Sequence, residues 1–474
     1  MVPSLRTRFA AVLLSIATGL SVFVLCLARP EPANAIPALA RKYGLPCSAC
    51  HEAWPKLNNF GIAFRDNGYQ LGNDRDSPIY QNNAYFPITF RMTPNWHLEN
   101  TNRAAVDVIP GDPASGSVEK SITSHGFDLS GLDILTLGTL HKNISFALVP
   151  SAEEDGSFHF ESVWVRVDNM FGSRWANLKF GKHELDVPEA LSEKRSLTLS
   201  GASGGYNLYH FDPIGGTNEF GLGDNQLGVE LSGHSRSSYT RYAIDVLSSN
   251  SGNVDFADNN GAPAANTYDV YAHFSHGIMI PKLGLQRFGV LAYDGRRATY
   301  ALTSGGEPIE GTGRGTASFY RLGAYATFYF KNLDFTGMWY RGQDNRFLAT
   351  ATPKILGVAG LPVGANDAVW NGGINEVHYV VNPQFIIFGR YELIRMSQQA
   401  FPIGTLTTAG VLSTPTLGDT DAFAIGYRWY PIMFSRAGLA WHNEFSRAKI
   451  KGASPLSGQD LTTNSVFVGL DLDF

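Results

Sequence analysis

From about residue 84 onward the chain alternates between apolar and polar positions in segments of roughly ten residues, the length of a membrane-crossing strand, separated by stretches rich in Gly, Asn, Asp and Ser. Phe86, Ile88, Phe90, Trp96 and Leu98 share one parity, and Thr89, Arg91, Thr93, Asn95 and His97 share the other. Such period-two alternation predicts strands with one greasy and one wet face. The pattern recurs where Leu227, Val229 and Leu231 oppose Gln226, Glu230 and His234, and where Phe423, Ile425, Tyr427 and Trp429 oppose Arg428. Further strands are predicted at about 126–140, 142–150, 158–168, 173–183, 238–247, 266–276, 285–295, 317–330, 332–343, 374–381, 384–395 and 436–448. With a weak one near 204–211 the total comes close to sixteen.

A soluble sandwich also alternates, but its strands are shorter and its aromatics gather inside. Here Tyr, Trp and Phe recur near strand ends on the apolar face, as in the girdles of a membrane barrel. The chain ends in "NSVFVGLDLDF", with Val468, Leu470, Leu472 and terminal Phe474 on one face and Asp471 and Asp473 on the other. A last strand closing on Phe resembles the assembly signal of bacterial outer-membrane proteins. The predicted fold is therefore all-β, a transmembrane antiparallel barrel closed because unpaired strand edges do not sit in lipid. Short links at 331–332 and 382–383 read as periplasmic turns. Polar stretches near 248–265, 297–316, 346–366, 397–418 and 449–463 read as external loops.

Composition agrees. The 474 residues include 50 Gly and 12% aromatics, with only 17% charged, and a mean hydropathy of -0.10 excludes a helical membrane protein. At the N-terminus, Arg6 and Arg8 precede an apolar stretch from Phe9 to Ala28, and "PANA" offers a cleavage site after Ala35. Residues 1–35 thus read as an export signal. Its loss removes three arginines and one glutamate and takes the formal charge from -5 to -7. A mildly acidic mature chain argues against a nucleic-acid partner.

Between the leader and the first strand stands "LPCSACHEAW", residues 45–54. Cys47, Cys50 and His51 have the spacing of a c-type haem attachment, two thiols for the haem vinyl groups and a histidine beneath the iron. Cys26 lies within the leader, so no other thiol is left to pair with these two. A redox disulfide is the rival reading, though such motifs open a helix in a βαβ setting. A zinc site needs further ligands at regular spacing, and none follows. Residues 36–84 form a segment too small to fold comfortably alone, so the lumen of the barrel, residues 85–474, is expected to wall it in.

The run "ARKYGLPCSACHEAWPKLNNFGIAFRDNGYQLG", residues 40–72, followed by a porin-like barrel to the chain end, resembles the fused monohaem cytochrome-porin family of outer-membrane proteins. Some members are ferrous iron oxidases. The resemblance implies one covalent haem c on Cys47 and Cys50 with His51 as proximal iron ligand. It also implies electron flow from extracellular Fe(II) to a periplasmic c-type cytochrome, in the outer membrane of a Gram-negative bacterium.

The distal iron ligand has to come from the barrel, since residues 52–85 hold neither Met nor His. Strand parity favours His97, on the lumen face with Arg91 and Asn95, over Met92, on the lipid face; His183, His234, His273, His378 and His442 share the lumen parity. Trp54, Phe60, Phe64 and Tyr69 either flank a haem or pack the segment on the barrel. Arg65 pairs with a propionate or with a lumen carboxylate. Arg390, Glu392, Arg428 and Glu444 predict a charged interior. Asp255, Asp258, Glu307 and Glu310 read as solvated loop charge. Three functions follow: inward electron transfer from Fe(II), outward electron transfer to an extracellular metal, or a haem-bearing diffusion porin.

Overall fold

The computed structural model describes residues 37–71, 87–152, 157–192, 195–198, 225–248, 268–299, 315–346, 349, 364–407, 410–433 and 438–473. The leader, the weak strand near 204–211, Phe474 and the four acidic loop residues named above lie outside these.

The N-terminal segment has three short helices, α1 (Pro37–Tyr43), α2 (Cys47–Cys50) and α3 (Asn59–Asp66), with a small hairpin of β1 (His51–Ala53) and β2 (Lys56–Leu57) between the last two. The barrel strands are β3 (Thr89–Ile109), β4 (Asp112–His141), β5 (Ile144–Ala152), β6 (Phe158–Val167), β7 (Asn177–Glu184), β8 (Asn225–His234), β9 (Thr240–Ser248) and β10 (Tyr268–Ile280). They continue as β11 (Gly284–Thr299), β12 (Gly315–Phe330), β13 (Leu333–Asp344), β14 (Ala368–Asn382), β15 (Phe385–Gln398), β16 (Thr420–Met433), β17 (Gly438–Ile450) and β18 (Leu461–Asp473). Each pairs antiparallel with its chain neighbours, and β18 pairs with β3 to close a sixteen-stranded barrel.

The alternation read from the sequence is the alternation of the wall. Val163, Val165, Phe180, Val229, Leu231, Ile244 and Val246 are exposed on the outside. Arg166, Lys179, Glu230, Asp245, Asp471 and Asp473 are buried within. Polar inside and apolar outside is the inverse of a soluble protein and the pattern of a barrel facing lipid.

Two features depart from the sequence reading. The first hairpin runs far past the length a bilayer requires, about 9–11 residues per strand: β3 has 21 residues and β4 has 30. Residues 99–125 carry little apolar alternation because both faces of the overhang meet water. Gly111 supplies the positive φ of 77° at its tip. The second is the stretch after β7, of which residues 185–192 and 195–198 are described and fold into the lumen. Its Leu185, Val187 and Leu191 pack against inward-facing Tyr271, Tyr293 and Trp370. The guanidinium of Arg390 donates to the Ala190 carbonyl at 2.6 Å.

The N-terminal segment occupies the lumen as well. Ala38 N donates to Thr89 Oγ1 at 3.2 Å. Lys56 Nζ reaches Asp334 Oδ1 at 2.7 Å, His378 Nδ1 at 2.7 Å and Glu52 at 2.9 Å. At the other end of the segment, Arg241 pairs with Asp66 at 2.6 Å. Arg428 holds three pieces together, donating to the carbonyls of Trp54 (3.3 Å) and Leu197 (3.1 Å) and pairing with Asp471 (3.3 Å).

Candidate functional site

Residues Cys47 to Cys50 form a single helical turn, and α3 packs back on it. Asn58 ties the two together. Its Oδ1 accepts from Gly61 N at 2.9 Å, capping α3, while its Nδ2 donates to the carbonyls of Ser48 (3.2 Å) and Ala49 (3.0 Å). Asn at that position is a strong cap because its side chain satisfies an amide the helix leaves open. Gly61 permits the approach, since a Cβ there would collide with the Cys50 carbonyl oxygen.

His51 follows the turn and is 4% exposed. Its Nδ1 lies 3.1 Å from the Pro55 carbonyl; a carbonyl only accepts, so Nδ1 carries the proton. Nε2 is buried without a hydrogen-bond partner. Burial pushes the imidazole down to about 4, so it is neutral at physiological pH with its lone pair on Nε2. A histidine whose second ring nitrogen is held by a backbone carbonyl has the arrangement of a metal ligand.

Cys50 and His51 line a cavity of about 280 Å³ between the segment and the barrel wall. Its apolar lining includes Leu39, Tyr43, Trp54, Phe64, Tyr69, Leu137 and Trp164. The lining also carries Arg91, Arg166, Lys179, Arg195 and Arg241 among acidic residues, and Arg166, Lys179, Arg195 and Arg241 are each in an ion pair. Among the described residues, Arg91 Nε and Arg195 Nη2 are buried without a hydrogen-bond partner. A flat apolar group with carboxylates suits a greasy wall with these two donors. Cys47 stands apart from the cavity in a buried cluster with Ala40, Ala53, Leu197, Phe388, Tyr430 and Met433. A thioether at Cys47 requires that cluster to part around Sγ. Burial pushes the Cys47 thiol up to about 12, aided by Asp473, and the Cys50 thiol up to about 11. Both are free of disulfides.

The other residues singled out by sequence fall as follows. Trp54, Phe64 and Tyr69 line the cavity, and Phe60 is exposed beside Phe64. Arg65 pairs with a lumen carboxylate, Asp186, at 3.2 Å. His97 faces inward, its Nε2 2.6 Å from Ser465 Oγ; the cavity lining includes His183 and His234 and does not include His97. His273 pairs with Asp186 at 2.9 Å. His442 lies 3.3 Å from Glu444. Met92 pairs across the closing seam with outward Leu472.

No family model matches the chain, and no curated protein matches it. Among solved structures it is similar to an anion-selective porin from Comamonas acidovorans, at 11% identity over 82% of this chain and 99% of that one, with a TM-score of 0.49. It is similar also to the outer-membrane channel DcaP of Acinetobacter baumannii, at 9% identity over 81% and 96%, TM-score 0.46. A third is OmpT of Vibrio cholerae, at 10% identity over 82% and 98%, TM-score 0.41.

Proposed function

We propose that the chain is an outer-membrane electron conduit, in which one covalent haem c is held between the N-terminal segment and the barrel wall. The observation that carries this reading is the buried His51 imidazole, with Nδ1 fixed on the Pro55 carbonyl and Nε2 left for a ligand, directly after the Cys47–Cys50 turn. The apolar belt on the outer wall supports a position in lipid.

When bound, haem supplies a one-electron couple. The chain's own residues do the rest. Cys47 and Cys50 would hold the group and His51 would ligate its iron, while the aromatic wall would exclude water and Arg91 and Arg195 would offer donors to carboxylates. His234, in preference to His97, would supply the second histidine ligand, because His234 lines the cavity of His51. Its Nδ1 donates to the Ser235 carbonyl at 2.9 Å, which leaves Nε2 for a ligand. Fe(II) outside gives one electron inward, becoming Fe(III), and a periplasmic c-type cytochrome takes it.

A second reading, a diffusion porin in which the segment is a plug, is supported by closure at sixteen strands, a count that in porins leaves an aqueous channel. The experiment is to mature the protein with haem, oxidise it, add anaerobic Fe(II) near neutral pH and follow the α band. Prompt reduction supports the conduit. A haem that dithionite reduces but Fe(II) does not moves the weight to outward electron flow, and a matured protein without haem moves it to the porin.

A further inference from the structure

On the inner wall, β7, β8 and β9 bring three ligand-type side chains together. The register sets Lys179 opposite Glu230 and Glu230 opposite Asp245. His183 sits four residues beyond Lys179 on β7, with Nε2 2.9 Å from Asp245 Oδ1 and 4.0 Å from Glu230 Oε2. All three residues are buried, and a ligand atom of each lies within 4.8 Å of the others.

Two carboxylates directly opposite on neighbouring strands repel one another, and out of water the repulsion grows. Lys179 Nζ answers for Glu230, at 2.7 Å. Asp245 hydrogen-bonds His183, and among the described residues its Oδ2 is buried without a hydrogen-bond partner. His183 Nδ1 lies 2.9 Å from the Gly181 carbonyl and so carries the ring proton. Its Nε2 and Asp245 Oδ1 lie 2.9 Å apart, close enough to share a proton or to serve as adjacent ligands of one cation. A first-row divalent ion with bonds of about 2.1 Å has adjacent ligands about 3 Å apart and opposite ligands about 4.2 Å apart, and the two observed separations span that range. One imidazole with two carboxylates suits Fe(II), Mn(II) or Zn(II).

We propose that His183, Glu230 and Asp245 form a divalent-cation site on the lumen wall. Resting on the electron-conduit reading above, we infer that its cation there is Fe(II), the donor. His183 and Glu230 line the same cavity as His51, so an ion held here stands at the edge of the space assigned to the cofactor. The step balances: bound Fe(II) loses one electron and leaves as Fe(III), and ferric haem becomes ferrous.

The test uses the full-length protein in detergent, stripped with chelator and titrated with Mn(II), with free Mn(II) read by electron paramagnetic resonance. The expected result is one Mn(II) per chain, displaced by Fe(II), with affinity at least tenfold weaker in both Asp245→Asn and Glu230→Gln. Heat-modifiable gel mobility reports that each variant barrel is folded. No binding in the wild type, or binding unchanged in both variants, overturns the site. The same titration on haem-free protein keeps the two proposals apart. Mn(II) binding in a protein whose haem Fe(II) does not reduce upholds the cation site and overturns the donor role.

Discussion

His51 Nδ1 and the Pro55 carbonyl oxygen are 3.1 Å apart, four residues along the same buried turn. That bond fixes the tautomer and aims a bare Nε2, so a ligand to the imidazole loses its orientation as well as its donor when the ring is removed. His51→Ala is expected to retain haem through the thioethers and to lose the axial signature in the Soret and α bands, with added imidazole restoring it. A spectrum that the substitution leaves untouched would exclude His51 as ligand.

The two thiols predict a separable outcome. Cys47→Ala with Cys50→Ala removes groups that face the plug and its cluster, not the outer wall. The double variant is expected to give a folded, heat-modifiable barrel without a haem-stained band on a denaturing gel. A covalent haem band in that variant would refute the attachment.

Lys56 is the buried cation that anchors the segment's hairpin, with Glu52 at 2.9 Å and Asp334 at 2.7 Å. Lys56→Met strands Glu52 and leaves Asp334 to His378 at 3.0 Å. Breaking a buried pair from one side costs about 3–5 kcal/mol, which at about 1.4 kcal/mol per tenfold raises the population of the undocked segment by about 10²- to 10⁴-fold. Limited proteolysis tracks that population when opening is fast. Cleavage within residues 37–71 is the readout, and a wild-type cleavage rate would show that the hairpin is held elsewhere.

How much of this was written locally in the chain varies by element. The sixteen strands were legible because alternation is a short-range signal: Val229 and Glu230 declare their faces without reference to their partners. The spacing of Cys47, Cys50 and His51 was legible for the same reason, being contiguous. The overhang of β3 and β4 was not, since residues outside the bilayer have no greasy face to alternate. Nor was the inward fold of residues 185–192 and 195–198, whose Leu185, Val187, Leu191 and Leu197 keep no fixed period. The cluster of His183, Glu230 and Asp245 depends on register across three strands, which no spacing in the sequence encodes. Asn58 left a trace, as a capping residue before a helical stretch.

His234 and His97 separate two assignments of the sixth iron position. His97 is engaged with Ser465, whereas His234 shares the cavity with His51. His234→Ala is expected to change the spin state and move the reduction potential, which axial ligands set over a span of about 0.8 V. His97→Ala is expected to do neither. Potentiometric titration of both variants with the α band as readout gives the comparison, and the reverse pattern would return the assignment to His97.

The lumen is filled by two bodies that hold each other. Arg65 on α3 pairs with Asp186 of the inward stretch at 3.2 Å, and Arg241 of β9 bridges Asp186 at 2.7 Å and Asp66 at 2.6 Å. A conduit requires this seal, because electrons move through a held cofactor while ions need a continuous aqueous path. Deleting residues 37–71, which leaves all sixteen strands and their closing seam intact, is therefore expected to raise single-channel conductance in planar bilayers well above that of the full chain. Equal, high conductance from both proteins would mean that solutes pass beside the segment and would favour the porin reading. Low conductance from the full chain with a large rise on deletion would support a barrel whose lumen is sealed around the haem segment.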